Sequence, residues 1–246
     1  MIYPIQTDHT AVIEAVEPIA PDRSPATGDR VSGLFGTKAE TLTRLRPLLK
    51  TCAVLDMHYF TVADWRQWKQ EIIRTIMARF SDSHLVVRSS AYNEDTSDRS
   101  MAGAYDSRLN VAPTAQAIHE AVEEVTSSYD DDPRDQVLVQ PMLDNVTLSG
   151  VIMTHDLQTG APYFVVNYDD ESGKTDAVTG GTGVNKTLVI HHGYDPDHVR
   201  SPRMIRLLDM VHELRGIFGP DEPLDIEFAA TGNTLYLLQL LSLIHI

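Results

Sequence analysis

Apolar positions along this chain switch between helical and strand spacing in a definite order. Leu42, Leu45 and Leu49 recur at intervals of three and four, which predicts a helix over residues 39–49. A second helix is predicted from Asp64, a good N-cap, through Phe80. Leu85, Val86 and Val87 read as a short buried strand that leads Arg88 into the polar run SSAYNEDTSDRSMAG. Ala117, Ile118, Ala121, Val122 and Val125 then form one stripe on a helix over residues 114–127, ended by Asp130–Asp132. Beyond Pro133 the texture changes to strands and turns, with strands predicted at 137–139, 150–154, 163–168 and 187–191. A helix over about 202–218 intervenes before a closing hairpin, 224–229 and 234–238, around Thr231-Gly232-Asn233. The pattern predicts an α/β (α+β) protein of two lobes, 1–112 and 113–240, the second richer in strands. A ligand held between two lobes is the natural arrangement.

Composition narrows the partners. The 246 residues carry a net charge of -15, which argues against nucleic acid, since phosphate backbones want a basic face. A nucleotide needs only a few local cations and is not excluded. Cys52 is the only cysteine, so no internal disulfide can form, and a reducing, cytoplasmic setting is the simple expectation. Residues 1–10 include Asp8 and His9 and show no secretory signal, and no apolar run reaches membrane-span length. Residues 18–30 are rich in Pro, Asp and Gly and read as a loop.

Four features could carry chemistry. Lys38 starts a helix behind two small residues, where backbone N–H groups and the helix dipole favour an anion. Arg88 leaves a buried strand with a guanidinium able to clamp phosphate oxygens. The SMAGAY run around Gly103 supplies a small-residue turn that could lie against phosphates. In Asp225-Ile226-Glu227, strand alternation puts both carboxylates on one face, and Gln239 follows twelve residues after Glu227. If the two strands pair, Glu227 and Gln239 both lie near the hairpin's open end, and oxygen ligands of that kind suit Mg²⁺ bridging ATP phosphates. Each feature alone also has a plain structural reading: a surface lysine, an ion pair, a simple turn, a solvated face. His191 and His192 are adjacent on a strand, so their rings diverge and the pair reads as structural. The polar run 168–174 reads as a nucleotide lid or a solvated loop, and Trp65 and Trp68 as core or interface.

Taken in order, these segments resemble the N-terminal ATP-binding domain of the phosphoenolpyruvate synthase and pyruvate phosphate dikinase family, an ATP-grasp fold. GTKAETLTRL is similar to the family's glycine-rich turn, lysine and leucine-rich helix. VRSSAYNEDTSDRSMAGAYDSRLNV, from Val87 to Val111, is the most specific stretch, and VLVQPML resembles a Val-Gln-x-Met strand. SGVIMTHDLQTG, LDIEF and LYLLQ complete a match over roughly residues 33–240. The resemblance implies that Lys38 and Arg88 contact ATP phosphates and act in catalysis through positioning and charge. It implies that Gly103 and its neighbours form the phosphate loop, that Glu227 and Gln239 hold Mg²⁺ and nucleotide, and that Asp225 supports them. A phosphoryl group would pass from ATP to a histidine on a mobile phosphohistidine domain and on to pyruvate.

The chain also departs from the family. Phe35-Gly36-Thr37 is thinner than the usual double glycine, and residues 168–181 differ from the usual Gly-x-Gly-Glu stretch. Leu241 and Ser242 stand where Arg and Pro usually follow, and no phosphohistidine signature is found in the chain. Residues 241–246 match the translation of a sequencing-adapter end, so the natural protein is expected to be represented only to about Leu240, and the fragment alone to be inactive. Rifampicin phosphotransferases and glucan-water dikinases have similar front domains with other acceptors. Carboxylate ligases of the same fold usually end in Glu-x-Asn, whereas here Glu227 and Gln239 stand on separate strands. A non-catalytic nucleotide-binding module is the further alternative.

Overall fold

The computed structural model describes residues 10–13, 33–92, 107–129, 132–175 and 186–243. In chain order the elements are β1 (Thr10–Ile13), α1 (Lys38–Leu45), β2 (Ala53–Val54), β3 (His58–Thr61), α2 (Val62–Arg79) and β4 (Leu85–Ser90). Then come β5 (Arg108–Val111), α3 (Ala115–Ser127), β6 (Gln136–Pro141), β7 (Val146–Met153), β8 (Tyr163–Asp169) and β9 (Lys186–His191). A 3₁₀ turn at Pro196–His198, α4 (Pro202–Phe218), β10 (Leu224–Thr231) and β11 (Thr234–Ser242) complete the order. The expected loop at 18–30 and Gly103 lie outside the described residues.

Contacts divide the chain into two compact units, one of 35–47 with 54–144, the other of 48–53 with 145–243 and β1. The boundary expected at 112/113 falls inside the first unit, between β5 and α3. The reason is pairing: β6 bonds to both β3 and β4, which ties residues 136–141 to the earlier chain.

In the first unit an antiparallel sheet has the order β3-β6-β4-β5. α2 and α3 cover one face, closing a core of Trp65, Ile73, Ile76, Val87, Val122 and Val139. Thr61 rather than Asp64 caps α2: its hydroxyl accepts from the Asp64 N–H, while Asp64 Oδ2 accepts from the Thr61 N–H, both at 3.0 Å. The helix departs from regular geometry at Trp68. Trp65 is 3% exposed, stacked on Phe60, but Trp68 is 52% exposed and belongs to no core. α1 stops at Leu45 and does not reach Leu49, because Pro47 has no N–H to continue the ladder.

The second unit is a seven-stranded sheet, β1-β9-β8-β7-β10-β11-β2, in which β1 runs parallel to β9 and the pairs from β9 to β11 are antiparallel. Phe164, Ile152, Ile190, Ile226 and Leu240 are buried on one face, and α4 covers them with Leu207, Met210, Val211 and Leu214. Gly150 in β7 is there for space. A Cβ at that position would lie 2.2 Å from the Asn167 carbonyl oxygen and 3.0 Å from the Phe228 ring.

Candidate nucleotide site

β4 is longer than the apolar run alone suggests, so Arg88 lies inside the strand and not beyond it. The register opposes Arg88 to Leu138, Ser90 to Gln136 and Val86 to Gln140. Directly opposed residues share a face, so Arg88 stands with Gln136 and Gln140 on the face turned away from α2 and α3. α1 lies on that same face. The Ala39 N–H donates to Ser90 Oγ at 3.0 Å, and Thr37 Oγ1 donates to Gln136 Oε1 at 2.6 Å. Lys38, the first residue of α1, is thereby placed over the sheet face that carries Arg88 and Gln140; Lys38 and Arg88 are both half-buried.

The helix start does not work in quite the way its sequence suggests. The Ala39 N–H is taken by Ser90 and the Glu40 N–H by Thr37 Oγ1 at 3.3 Å. Two of the first-turn donors are therefore spent inside the protein. The helix dipole still favours an anion at this end.

Gln140 was not singled out by sequence reasoning, although it stands within VLVQPML. It is 2% exposed, and its Nε2 donor has no hydrogen-bond partner among the described residues. A buried, unpaired donor costs roughly 1–3 kcal/mol, and such groups are few in folded proteins. The available signal was a glutamine closing the apolar run 137–139.

In the second unit β10 and β11 pair, and Glu227 lies directly opposite Gln239, three pairs in from the open end at Leu224 and Ser242. Asp225 lies opposite Leu241, and on the other side Glu227 and Asp225 face Val151 and Met153 of β7. These residues occupy the sheet face opposite α4. Asp225 and Glu227 are half-buried, whereas Gln239 is 6% exposed and its Oε1 has no hydrogen-bond partner among the described residues. A carboxylate and an amide oxygen, side by side with the second unused, form a donor set that fits a hard cation. Mg²⁺ commonly takes only one or two protein oxygens and fills the rest with water and phosphate. Among the described residues no cluster of three or more His, Cys, Asp or Glu side chains forms a metal site. β11 runs on through Leu241 and Ser242, whose hydroxyl bonds to Glu222.

Other features resolve into structure. His191 packs on Tyr163, while His192 packs on Phe164 and bonds through Nε2 to the Thr154 carbonyl at 2.7 Å, so the two rings diverge as expected. His155 meets His192 edge-on at 5.2 Å, His212 lies 5.8 Å from Phe164, and the Arg215 guanidinium sits 5.3 Å over that same ring. Burial, then the Arg215 charge, pushes His192 down to about 4 and lowers His155 and His212 as well. Residues 169–174 are held in place: Lys186 binds Asp170 at 2.6 Å and Glu171 at 2.9 Å, and Ser149 Oγ bonds to the Lys174 carbonyl. Burial, then the Glu213 charge, pushes the Cys52 thiol up to about 12, which disfavours its thiolate. Among the described residues no helix is long and apolar enough to cross a membrane.

Two solved structures define the class. The D-alanine-D-alanine ligase from Coxiella burnetii is 15% identical, with 87% of this chain and 49% of the ligase covered and a TM-score of 0.50. D-alanyl-alanine synthetase A from Vibrio cholerae O1 biovar eltor str. N16961 is 12% identical, with 87% and 57% covered and a TM-score of 0.50. This chain thus spans about half the length of those ligases. At such identities the likeness concerns the fold, which is ATP-grasp. Within it, residues 66–135 match the family model for the pyruvate phosphate dikinase AMP/ATP-binding domain, a stretch that includes Arg88. The resemblance read from the sequence stands over that segment, and fold and match together support nucleotide binding. No curated protein sequence gives a significant match.

Proposed function

We propose that this chain is the ATP-binding, phosphoryl-donating part of an enzyme of the phosphoenolpyruvate synthase and pyruvate phosphate dikinase type. The observation that carries the reading is the opposed pair Glu227 and Gln239, with a buried amide oxygen that has no hydrogen-bond partner among the described residues. The proposal assigns Lys38, Arg88 and Gln140 to the nucleotide, the two cations to its phosphates, with Gly103 and its neighbours as the phosphate loop. Glu227 and Gln239 would hold Mg²⁺, with Asp225 supporting them. Bound there, Mg²⁺ would offset the negative charge of the phosphate chain. The protein's own part is to orient the phosphates and neutralise charge on the group being transferred, with no covalent bond to its side chains. The phosphoryl group would go to a histidine on a separate phosphohistidine domain and from there to pyruvate. Rifampicin or a glucan as final acceptor keeps the same front chemistry and changes only the parts that receive it.

Calorimetry tests the assignment. Lys38→Ala and Arg88→Ala should each weaken binding of ATP with Mg²⁺ by about 1.5–3 kcal/mol, roughly 10- to 150-fold, the scale of a charged hydrogen bond. Unchanged affinity in both variants would remove the basis for placing phosphate at these residues.

A further inference from the structure

Gln136 lies 99 residues from Thr37 in the chain, yet both arms of its amide grip the first turn of α1. Its Oε1 accepts from Thr37 Oγ1 at 2.6 Å, and its Nε2 donates to Glu40 Oε1 at 3.0 Å. The residue is 7% exposed, and Thr37 beside it is buried as well. The contact extends outward in order. Glu40 Oε2 pairs with Arg44 at 3.1 Å, and Arg44 Nη1 donates to the Phe35 carbonyl at 2.6 Å. Thr41 Oγ1 accepts from the Gly36 N–H at 3.1 Å, which closes the same turn from the other side. Ser90 fixes the Ala39 N–H from β4. Every residue flanking Lys38 from 35 to 41 is thus tied into this turn.

This turn is where the sequence departs from the double glycine of the family it resembles. Thr37 stands in that turn, its hydroxyl donating to Gln136 and accepting from the Glu40 N–H. A lysine has a flexible four-carbon stem, and fixing its backbone lowers the entropy lost when its ammonium meets a phosphate. Gln136 performs that fixing from the neighbouring strand. It lies on the same face as Arg88, so one sheet sets the position of both cations.

We propose that Gln136 is a positioning residue that, through Thr37 and Glu40, aims Lys38 at the nucleotide phosphates. The inference rests on the nucleotide reading above and adds a residue to it. The test is a double-mutant cycle read by calorimetry with ATP and Mg²⁺, with thermal melting run on every variant. Gln136→Leu is expected to weaken ATP binding about 5- to 10-fold when Lys38 is present and less than about 2-fold in a Lys38→Ala background. Thr37→Val, which removes the same hydrogen bond from the helix side, should show the same dependence on Lys38, and it replaces Gln136→Leu if that variant does not fold. Equal losses with and without Lys38 would mean that Gln136 only supports the fold, and would overturn the positioning role while leaving the nucleotide reading intact. A Lys38→Ala variant that binds ATP as tightly as the parent would overturn the phosphate assignment of Lys38, and the positioning role with it.

Discussion

On the proposed function, Glu227→Gln is expected to abolish phosphoryl transfer to a phosphohistidine domain and to leave the fold unchanged. The two side chains have nearly the same shape, so β10 keeps its pairing with β7 and β11. What changes is charge: beside the neutral Gln239 amide, the Glu227 carboxylate is the anionic member of the pair that would hold Mg²⁺. Circular dichroism and a phosphohistidine assay, run together on the variant, check both halves. Normal histidine phosphorylation would rule the role out. Gln239 offers a companion test with opposite signs. Its Oε1 is buried without a partner among the described residues, a cost that Gln239→Leu would relieve, so the variant should melt at or above the parent temperature while binding Mg²⁺-ATP more weakly. A variant that gained no stability and lost no affinity would mean that the oxygen has no ligand to wait for.

Acid should loosen the second unit well before its carboxylates protonate. His192, with its pKa pushed down to about 4, and His212, also lowered, pack on Phe164 together with the Arg215 cation, and the lowered His155 meets His192 edge-on. Asp221 acts on His155, and Asp209 on His212, in the opposite direction, but more weakly than burial. An unfolded histidine titrates near about 6.5. The folded value lies below it, so the unfolded chain binds more protons as pH falls. The stability held in neutral His192 is therefore complete above about 6.5 and is lost as pH falls toward about 4. For a half-buried ring this amounts to on the order of 1–2 kcal/mol, or a few degrees of melting temperature between pH 7 and pH 5. Hydrogen exchange of the β8 and β9 amides would show where the loss falls. His192→Gln, which keeps a donor for the Thr154 carbonyl, should flatten the pH dependence, and an unaltered slope would count against the arrangement.

Much of this protein was legible before any coordinates. α4 runs over the residues its pattern marks, and strands appear at each of the six predicted places after Pro133. The reason is local: a periodic apolar stripe or alternation has one low-energy way to be buried. Glu227 and Gln239 were readable as a pair because a short turn at Thr231-Gly232-Asn233 leaves two flanking strands little choice but to meet. Where the first unit ends was not readable, because β6 joins β3 and β4 by pairing across long stretches of chain. β3 and β5, of four residues each, were missed because short strands carry little periodicity of their own. Nor could sequence say that Ser90 and Thr37 take the first N–H groups of α1, that Gln136 grips its turn, or that Gln140 and Gln239 are left with unpaired amide atoms. Which chemical groups the chain possesses is written in its order of residues. Which of them are satisfied inside the protein and which remain for a ligand depends on partners distant in sequence, and only the tertiary structure decides it.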